Sequence, residues 1–526
     1  MQIVGYHIIN GMAVNSLGEA VTIDPLDFLL ERKPDSIKVF YHLDYSVANL
    51  FRWIGIEKKD ILKLLNSNDL YIAPYKFSYM QKKYFNLQYG GGRGSTFANF
   101  NDMYQFHRNS DMTELEPVDY ARKAEEIGQK VYEALAKINL SPKSLTSPVR
   151  CWEKEVLSEM DLPGIHDIPD HISKMAYDCC DGGWVEAFQK GHWDKTWDYD
   201  MRSAYGSFTR NLLDTRYGSW QELPYYDPAC YYGYALCNIE VTSPFSAITF
   251  LNGDEKITPV GRHPKPKLLS KRHIDFAQKY KTANIEILEG HWWFPDKLVY
   301  PLESMIDYLF EAKEKATGLE KDVVKRILAG IWGKFLQVNS KSFGDLFNSV
   351  WAEDVQSGCR LETAAFILDH QLEKYVLHAT VDGVLSSKEV PIIETGKIGE
   401  WKLSNIGAAY IISSGICAVQ GKDGQIDSDK ENSDFILRYD WMRNQIAASP
   451  NATEYTMSKL SPVTLQKAIT QDKMEKLGRH EEIVKTVDIT YESKRDYPES
   501  PETGAQLQKR HYMSRPTDIT SILNIE

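Results

Sequence analysis

Apolar residues in IVGYHII (3–9) and SIKVFYHL (36–43) predict buried strands, and SVANLFRWIGI (46–56) repeats with helical spacing. DYARKAEEIGQKVYEALAKI (119–138) predicts an amphipathic helix with Asp119 as its N-cap. GGGRGS (90–95) marks a loop. Residues 141–170 are Pro-rich and read as irregular. A strand-rich block with aromatic strands such as YYGYALCNIEV (231–241) follows. SMIDYLFEAKEKATG (304–318) and LEKDVVKRILAGIWGKF (319–335) predict two antiparallel helices joined at Gly318. YVLHATVDGVLSS (375–387) reads as strand, turn, strand. The last hundred or so residues alternate polar helices and loops.

With 526 residues, the chain is long enough for several domains, and 43% hydrophobic residues can fill a large core. The net charge of −12 gives no overall attraction to nucleic acid, so binding would need a local basic groove. Seven cysteines without a CxxC pair read as reduced thiols rather than a zinc site or a disulfide framework. The N-terminus lacks a basic, apolar leader, and no run approaches the roughly 18 apolar residues of a membrane span. An intracellular, cytoplasmic protein without membrane contact is expected.

Transfer of a nucleotide needs carboxylates that hold paired divalent ions, and cations for the triphosphate. Asp200 closes the strand-like KTWDYD, with Asp198 two residues earlier on the same face. Asp382 lies in an Asp-Gly turn between apolar runs. Alone, each is explained as a turn aspartate. Lys321 and Lys325 share one helix face, and Lys313 lies on the preceding helix. A solvated charged face is the better explanation of these lysines alone, until Ala329, Gly330 and Gly333 are added one turn on. They leave a flat surface that a base pair fits, with Trp332 beside it.

Together and in order, these segments resemble the polymerase motifs of family B DNA polymerases, of the phage and organellar, protein-primed-like type. DMRSAYGS (200–207) resembles motif A, KRILAGIWGK (325–334) motif B and TVDG (380–383) motif C. CDGGWVEAFQKG (180–191) is similar to the glycine loop between the exonuclease and polymerase halves. GEWK (399–402) and ESKRDY (492–497) resemble later segments. The resemblance implies that Asp200 and Asp382 bind two Mg²⁺ ions, with Mn²⁺ as a substitute. Lys325, Lys321 and Lys313 would act on the triphosphate. Tyr205, with Ser203 and Ala204, would hold the nucleotide and exclude a 2′-hydroxyl. Gly182, Gly183, Lys494 and Arg495 would contact nucleic acid.

The departures are specific. Gly206 replaces the proline of motif A, and Ala329, Gly330 and Trp332 replace its motif B counterparts. Thr380 stands where motif C has its first Asp, and SSGICAV (413–419) replaces the primer-holding K-x-Y. The N-terminal region resembles the family's exonuclease with its acids removed. The first strand has no D-x-E, and Ser46 and Ala124 fall at acid positions. Asp24, Asp27 and Asp44 are the acids that would restore a site under another register. The basic block Arg262, Lys265, Lys267, Lys271, Arg272, Lys279 and Lys281 is either a solvated face or a contact to a phosphate backbone.

The implied fold class is α/β (α+β multidomain): a right-hand polymerase behind a ribonuclease-H-like domain. Its expected parts are an inactive exonuclease-like domain (1–140), a linker and template loop (141–190), palm (191–305 and 340–420), fingers (306–339) and thumb (421–526). The implied function is DNA-templated addition of deoxynucleotides to a primer 3′-hydroxyl, without proofreading. The implied partners are primer–template DNA and deoxynucleoside triphosphates. The alternatives are a nucleotidyltransferase of the same fold that primes de novo or adds untemplated nucleotides, and a non-catalytic nucleic-acid-binding homologue.

Overall fold

The computed structural model describes residues 2–31, 36–91, 95–103, 116–140, 142, 145, 147–252, 255–338, 342–422, 424–425 and 436–519. The expected glycine loop at 90–95 lies partly outside them. The chain forms two compact units. Met1–Met160, Glu311–Ile327 and Ser458–Val484 make the first; Asp161–Phe310, Leu328–Met457 and Lys485–Glu526 make the second.

The first unit contains β1 (Gln2–Ile9), β2 (Met12–Asn15), β3 (Ala20–Val21), α1 (Pro25–Leu30), β4 (Ser36–Phe40), α2 (Leu43–Trp53) and α3 (Lys58–Ser67). It continues with β5 (Asp69–Ile72), β6 (Tyr75–Met80), β7 (Tyr84–Tyr89), β8 (Thr96–Asp102), α4 (Pro117–Lys137) and α5 (Pro148–Glu159). Its eight strands run in the order β3-β2-β1-β4-β8-β7-β6-β5. β1 and β4, and β4 and β8, are parallel. β1 is buried on both faces, as its continuous apolar run requires. Helix α4 lies directly on it: a Cβ at Gly5 would fall 1.8 Å from the Ala121 carbonyl oxygen, so only glycine fits. Val463, Leu465, Ala468 and Leu477 join this core, which is why residues 458–484 belong to the unit.

Two local expectations are corrected. Helix α4 is capped at Glu116, with proline in its first turn, and Asp119 sits one turn inside, paired with Arg122. The stretch read as irregular contains helix α5, whose proline also occupies the first turn that lacks an internal hydrogen bond.

The second unit is built on an antiparallel sheet. Its elements are α6 (Asp170–Asp178), β9 (Glu186–Ala187), β10 (Gln189–Met201), α7 (Ala204–Arg210), β11 (Gly218–Glu222) and β12 (Tyr232–Val241). Next come β13 (Phe250–Asn252), β14 (Glu255–Ile257), β15 (Gly261–Arg262), β16 (Lys267–Ser270), α8 (Lys271–Tyr280) and β17 (Ala283–Pro295). Then α9 (Glu303–Lys315) and α10 (Gly318–Lys334) each run from one unit into the other. They are followed by α11 (Ser349–Asp369), β18 (Val376–Thr380), β19 (Gly383–Ser386), β20 (Trp401–Ser413) and β21 (Ile416–Val419). The sheet order is β21-β20-β10-β19-β18-β9, with β10 at its centre. α11 covers the sheet: Leu361, Ala364, Ala365, Phe366 and Ile367 share one core with Tyr199, Ala379 and Val384. α11 is buried around nearly its whole circumference, so it has no polar stripe to betray it in the sequence. Among the described residues no helix is long and apolar enough to cross a membrane.

Candidate active site

The two aspartates singled out by spacing meet at one end of the second unit's sheet. β10 lies between β20 and β19, and Asp200, near its C-terminal end, is in register with Gly383 and Lys402. Val381 and Asp382 form the turn between β18 and β19. The Met201 N–H donates to the Asp382 carbonyl at 2.9 Å, which fixes the turn against the end of β10. A Cβ at Gly383 would lie 2.6 Å from Thr380 Oγ1 and 3.2 Å from the Tyr199 carbonyl oxygen, so close approach favours glycine there.

Lys402 Nζ lies 3.0 Å from Asp200 Oδ2, and Lys422 is ion-paired with Asp198. Burial pushes the Asp198 carboxyl above the usual carboxylate range, and Lys422 pulls it back. Asp200 is about one third exposed, open enough to take a ligand. Asp200 and Asp382 supply hard oxygen donors of the type Mg²⁺ prefers, and such an ion completes its shell with water and phosphate oxygens. Among the described residues no group of three or more His, Cys, Asp or Glu could hold a metal ion, so this donor set stops at two carboxylates.

After β10 the chain turns through Ser203, whose φ of 50° is left-handed, into the short helix α7. Ala204 is buried against Met201 and Cys359, so any contact it makes to a nucleotide must come from its backbone. Tyr205 stacks on Trp332, with centroids 5.0 Å apart and planes 22° from parallel. Burial pushes its phenol far up, and the nearby Cys359 and Asp382 push it further, so it stays neutral. Leu328 and Ile398 stand 3.4–3.5 Å from where a Cβ on Gly206 would be, an ordinary contact distance.

Along α10, Val323, Val324, Ile327, Leu328 and Ile331 are buried, while Lys321, Lys325, Ala329 and Gly333 form one exposed stripe four residues apart. Lys313 differs: it is 8% exposed, and its ammonium lies 3.0 Å from Glu314.

The loop carrying Gly182 and Gly183 is held by α11. Arg360 donates to the carbonyls of Asp181 (2.9 Å) and Gly182 (3.2 Å), and Gln356 accepts from the Gly182 N–H at 3.0 Å. Thr363, on the same helix, donates to the Val381 carbonyl at 3.1 Å. A Cβ at Gly183 would sit 2.4 Å from Val381 Cγ2. The glycine loop and the Asp382 turn therefore touch and share one scaffold. Lys494 donates to the Val185 carbonyl at 3.0 Å. Arg495 is turned inward: it pairs with Glu186 at 2.9 Å, lies over the Phe188 ring and is 8% exposed. Its guanidinium is spent on the fold. Much of the basic block is also consumed internally: Arg272 makes a two-point pair with Asp354 (2.6 and 2.7 Å), and Lys271 pairs with Asp275.

In the first unit, the positions expected to have lost their acids adjoin a cluster of neutral groups. His7 on β1 lies 3.3 Å from Ser46 Oγ on α2 and stacks on Tyr120 of α4 at 4.3 Å. Burial drives the His7 imidazole down to about 3, so it is neutral. Ala124 is fully buried. Asp44 is committed elsewhere: it accepts from Tyr79 Oη at 2.7 Å and from the Lys82 N–H at 2.9 Å, and burial pushes its carboxyl up. Asp27 accepts from Tyr75 Oη at 3.4 Å, and Asp24 is the left-handed cap of α1.

Phi29 DNA polymerase complexed with primer–template DNA and incoming nucleotide substrates superposes with a TM-score of 0.63, at 13% identity, over 93% of this chain and 99% of that chain. Its binary complex with primer–template DNA gives 0.64 at 12%, and its complex with single-stranded DNA 0.64 at 13%. The chain has the fold of phi29 DNA polymerase. No family model and no curated protein sequence matches it.

Four residues that hold the candidate site together escaped the sequence reading. Lys402 lay within GEWK but was not linked to Asp200. Arg360, Gln356 and Thr363 sit on the all-round-buried α11. The signal that could have found them is polar side chains inside an otherwise apolar segment, since a buried polar group needs a partner.

Proposed function

We propose that the chain is a DNA-templated DNA polymerase that adds deoxynucleotides to a primer 3′-hydroxyl and has no proofreading activity. The observation that carries this reading is the meeting of Asp200 and Asp382 across the β10–β19 register, inside a phi29-like fold. The primer 3′-oxygen attacks the α-phosphorus. A new P–O bond forms, the bond to the bridging oxygen breaks, and pyrophosphate leaves. Asp200 and Asp382 would hold Mg²⁺, which supplies Lewis acidity for phosphoryl transfer, and Mn²⁺ would substitute. Lys325 and Lys321 neutralise the triphosphate. Tyr205, kept neutral and braced by Trp332, fills the space a 2′-hydroxyl needs. Ser203 and Ala204 offer backbone groups to the nucleotide. The backbone at Gly182 and Gly183, with Lys494, contacts the template strand. Lys313 and Arg495, being buried, support these parts from behind.

One observation favours a second reading, a homologue that binds nucleic acid without catalysis. Thr380 supplies no charge where the family pattern has an acid, and Lys402 already neutralises Asp200. Incubation with Mg²⁺ and deoxynucleotides, on template alone and on primer–template, separates the readings. Extension that requires the primer and follows the template supports polymerisation. Products on template alone point to de novo priming. Tight binding of primer–template with no incorporation in Mg²⁺ or Mn²⁺ would establish the second reading.

A further inference from the structure

Helix α7 carries Tyr205, yet its own sequence does little to keep it rigid. It has seven residues, about two turns, too few for a helix to be stable by itself. Gly206 in its first turn adds backbone freedom. At its C-terminal end, Arg210 is ion-paired with Asp307 and Glu303, and all three side chains are part exposed, so these pairs hold weakly. The stiffness of α7 has to come from what it rests on.

Phe208, three residues after Tyr205, lies against Gly358 of α11. A Cβ at Gly358 would fall 2.4 Å from Phe208 Cδ1 and 2.7 Å from Cε1. Carbon atoms in contact sit about 3.5–4.0 Å apart, so a side chain at 358 would push the ring out by about 1 Å. Arg272 of α8 stands over the same ring, with its guanidinium carbon 5.4 Å from the centroid. Asp354 keeps that guanidinium in place through two hydrogen bonds, of 2.6 and 2.7 Å. Asp354 and Gly358 are four residues apart, so one face of α11 both receives the ring and anchors the cation over it. The next residue, Cys359, packs with Met201 and Ala204, and Tyr205 and Phe208 lie against that cluster. Within α7 the Thr209 hydroxyl donates to the Tyr205 carbonyl at 2.7 Å, which ties the Phe208 end of the helix to the Tyr205 end. α11 also holds the Gly182 loop and the Asp382 turn. Phe208 is thus a link that sets Tyr205 against the rest of the site.

We propose that Phe208, Gly358 and Arg272 are positioning residues that set the sugar selectivity of the nucleotide site. They act through Tyr205 by fixing where its ring stands beside Trp332, so the proposal rests on the nucleotide-binding role given to Tyr205 above. The test measures equilibrium binding of deoxyadenosine triphosphate and adenosine triphosphate to the full chain on a primer–template whose dideoxy-ended primer prevents incorporation. Primer extension by the parent is followed alongside. Gly358→Ala and Phe208→Ala should each lower the preference for the deoxynucleotide about tenfold. Arg272→Lys keeps the charge but loses the two-point grip, and should lower it a few-fold. The Phe208→Ala/Gly358→Ala variant should be no worse than either single one, because both changes cut the same link. Hydrogen exchange should quicken in peptides covering 203–211 and stay at the parent's rate in the first unit, which general destabilisation would not spare. Phe208 is half-buried, so Phe208→Ala decides the matter if Gly358→Ala does not fold. A folded Phe208→Ala with the parent's preference would overturn the proposal, and so would losses that add in the double variant. A parent that prefers the deoxynucleotide but extends no primer would sink the polymerase reading, while the variants still decide this one. A parent that extends primers without any sugar preference would overturn this proposal alone, and one that binds neither nucleotide would overturn both.

Discussion

Asp200 shows how little one residue discloses about itself. In sequence it is a strand-end acid with a bland explanation. Its neighbours across β10 give it meaning: Gly383 and the Asp382 turn on one side, Lys402 on the other. The Lys402 ammonium, 3.0 Å away, competes with any cation for that carboxylate. Lys402→Met should therefore lower the Mg²⁺ concentration that half-saturates primer extension, by several-fold. An unchanged or higher requirement would mean that the lysine does not compete. Tyr205 supports a second prediction at this scale. Its ring is held by stacking on Trp332. Tyr205→Ala should relax discrimination against ribonucleotides by about tenfold or more, as expected when a small volume difference sets selectivity. Incorporation ratios of matched ribo- and deoxynucleotides measure it. The placement of Asp200 beside the Asp382 turn was legible because turn chemistry and order mark both. Lys402 was not, because cross-strand register is invisible along the chain.

Elements were legible in proportion to their amphipathicity. α10 exposes Lys321, Lys325, Ala329 and Gly333 on one stripe, as its spacing predicts. α4 was found but its cap was misplaced by about one turn: Pro117 fixes the start earlier than Asp119 does. α11 stayed hidden because it is buried all round and its polar residues form no stripe, and α5 because its proline reads as a break. Yet α11 organises the site, binding the Gly182 loop through Arg360 and Gln356 and the Asp382 turn through Thr363. A contrast between two glycines tests this. Gly183→Ala forces a Cβ to within 2.4 Å of Val381 and should destabilise the second unit by about 1–3 kcal/mol, with loss of extension. Gly333→Ala meets nothing within 4 Å and, inside a helix, should stabilise by roughly 1 kcal/mol. Denaturant melts read both, and equal effects would remove the argument from packing.

At the scale of the molecule, the right-hand architecture was legible only through the order of motifs. No single segment specifies it, and the antiparallel sheet joins strands far apart in the chain. The joining of residues 458–484 to the first unit was not legible, because it rests on a few apolar side chains and the close approach of Gly478. The buried histidines give the molecule a pH dependence. Burial lowers His378 and His273 to about 4, and His378 Nε2 accepts from the Gly415 N–H, which requires a neutral ring. Unfolding restores the ordinary value of 6.5, so below it the unfolded chain binds protons that the folded chain refuses. The contribution of these two histidines is complete above pH 6.5 and is lost towards pH 4, by up to about 1.4 kcal/mol per unit for each. Glu353 acts oppositely: burial raises its carboxyl to about 8, so its ionisation above pH 4.5 in the unfolded chain costs stability as pH rises. His378→Gln keeps an acceptor and removes one titration, so melting temperature should depend less steeply on pH between 4 and 6.5 than in the parent.

The central claim is that Asp200 and Asp382 form one catalytic pair. The most direct measurement is Mg²⁺-dependent extension of a labelled primer by the parent chain, Asp200→Ala and Asp382→Ala, with 3′-end degradation followed in the same reaction. The account predicts templated extension by the parent, its loss in both variants, and no degradation in any of the three. Extension that survives in both variants, or primer shortening by the parent, would contradict it.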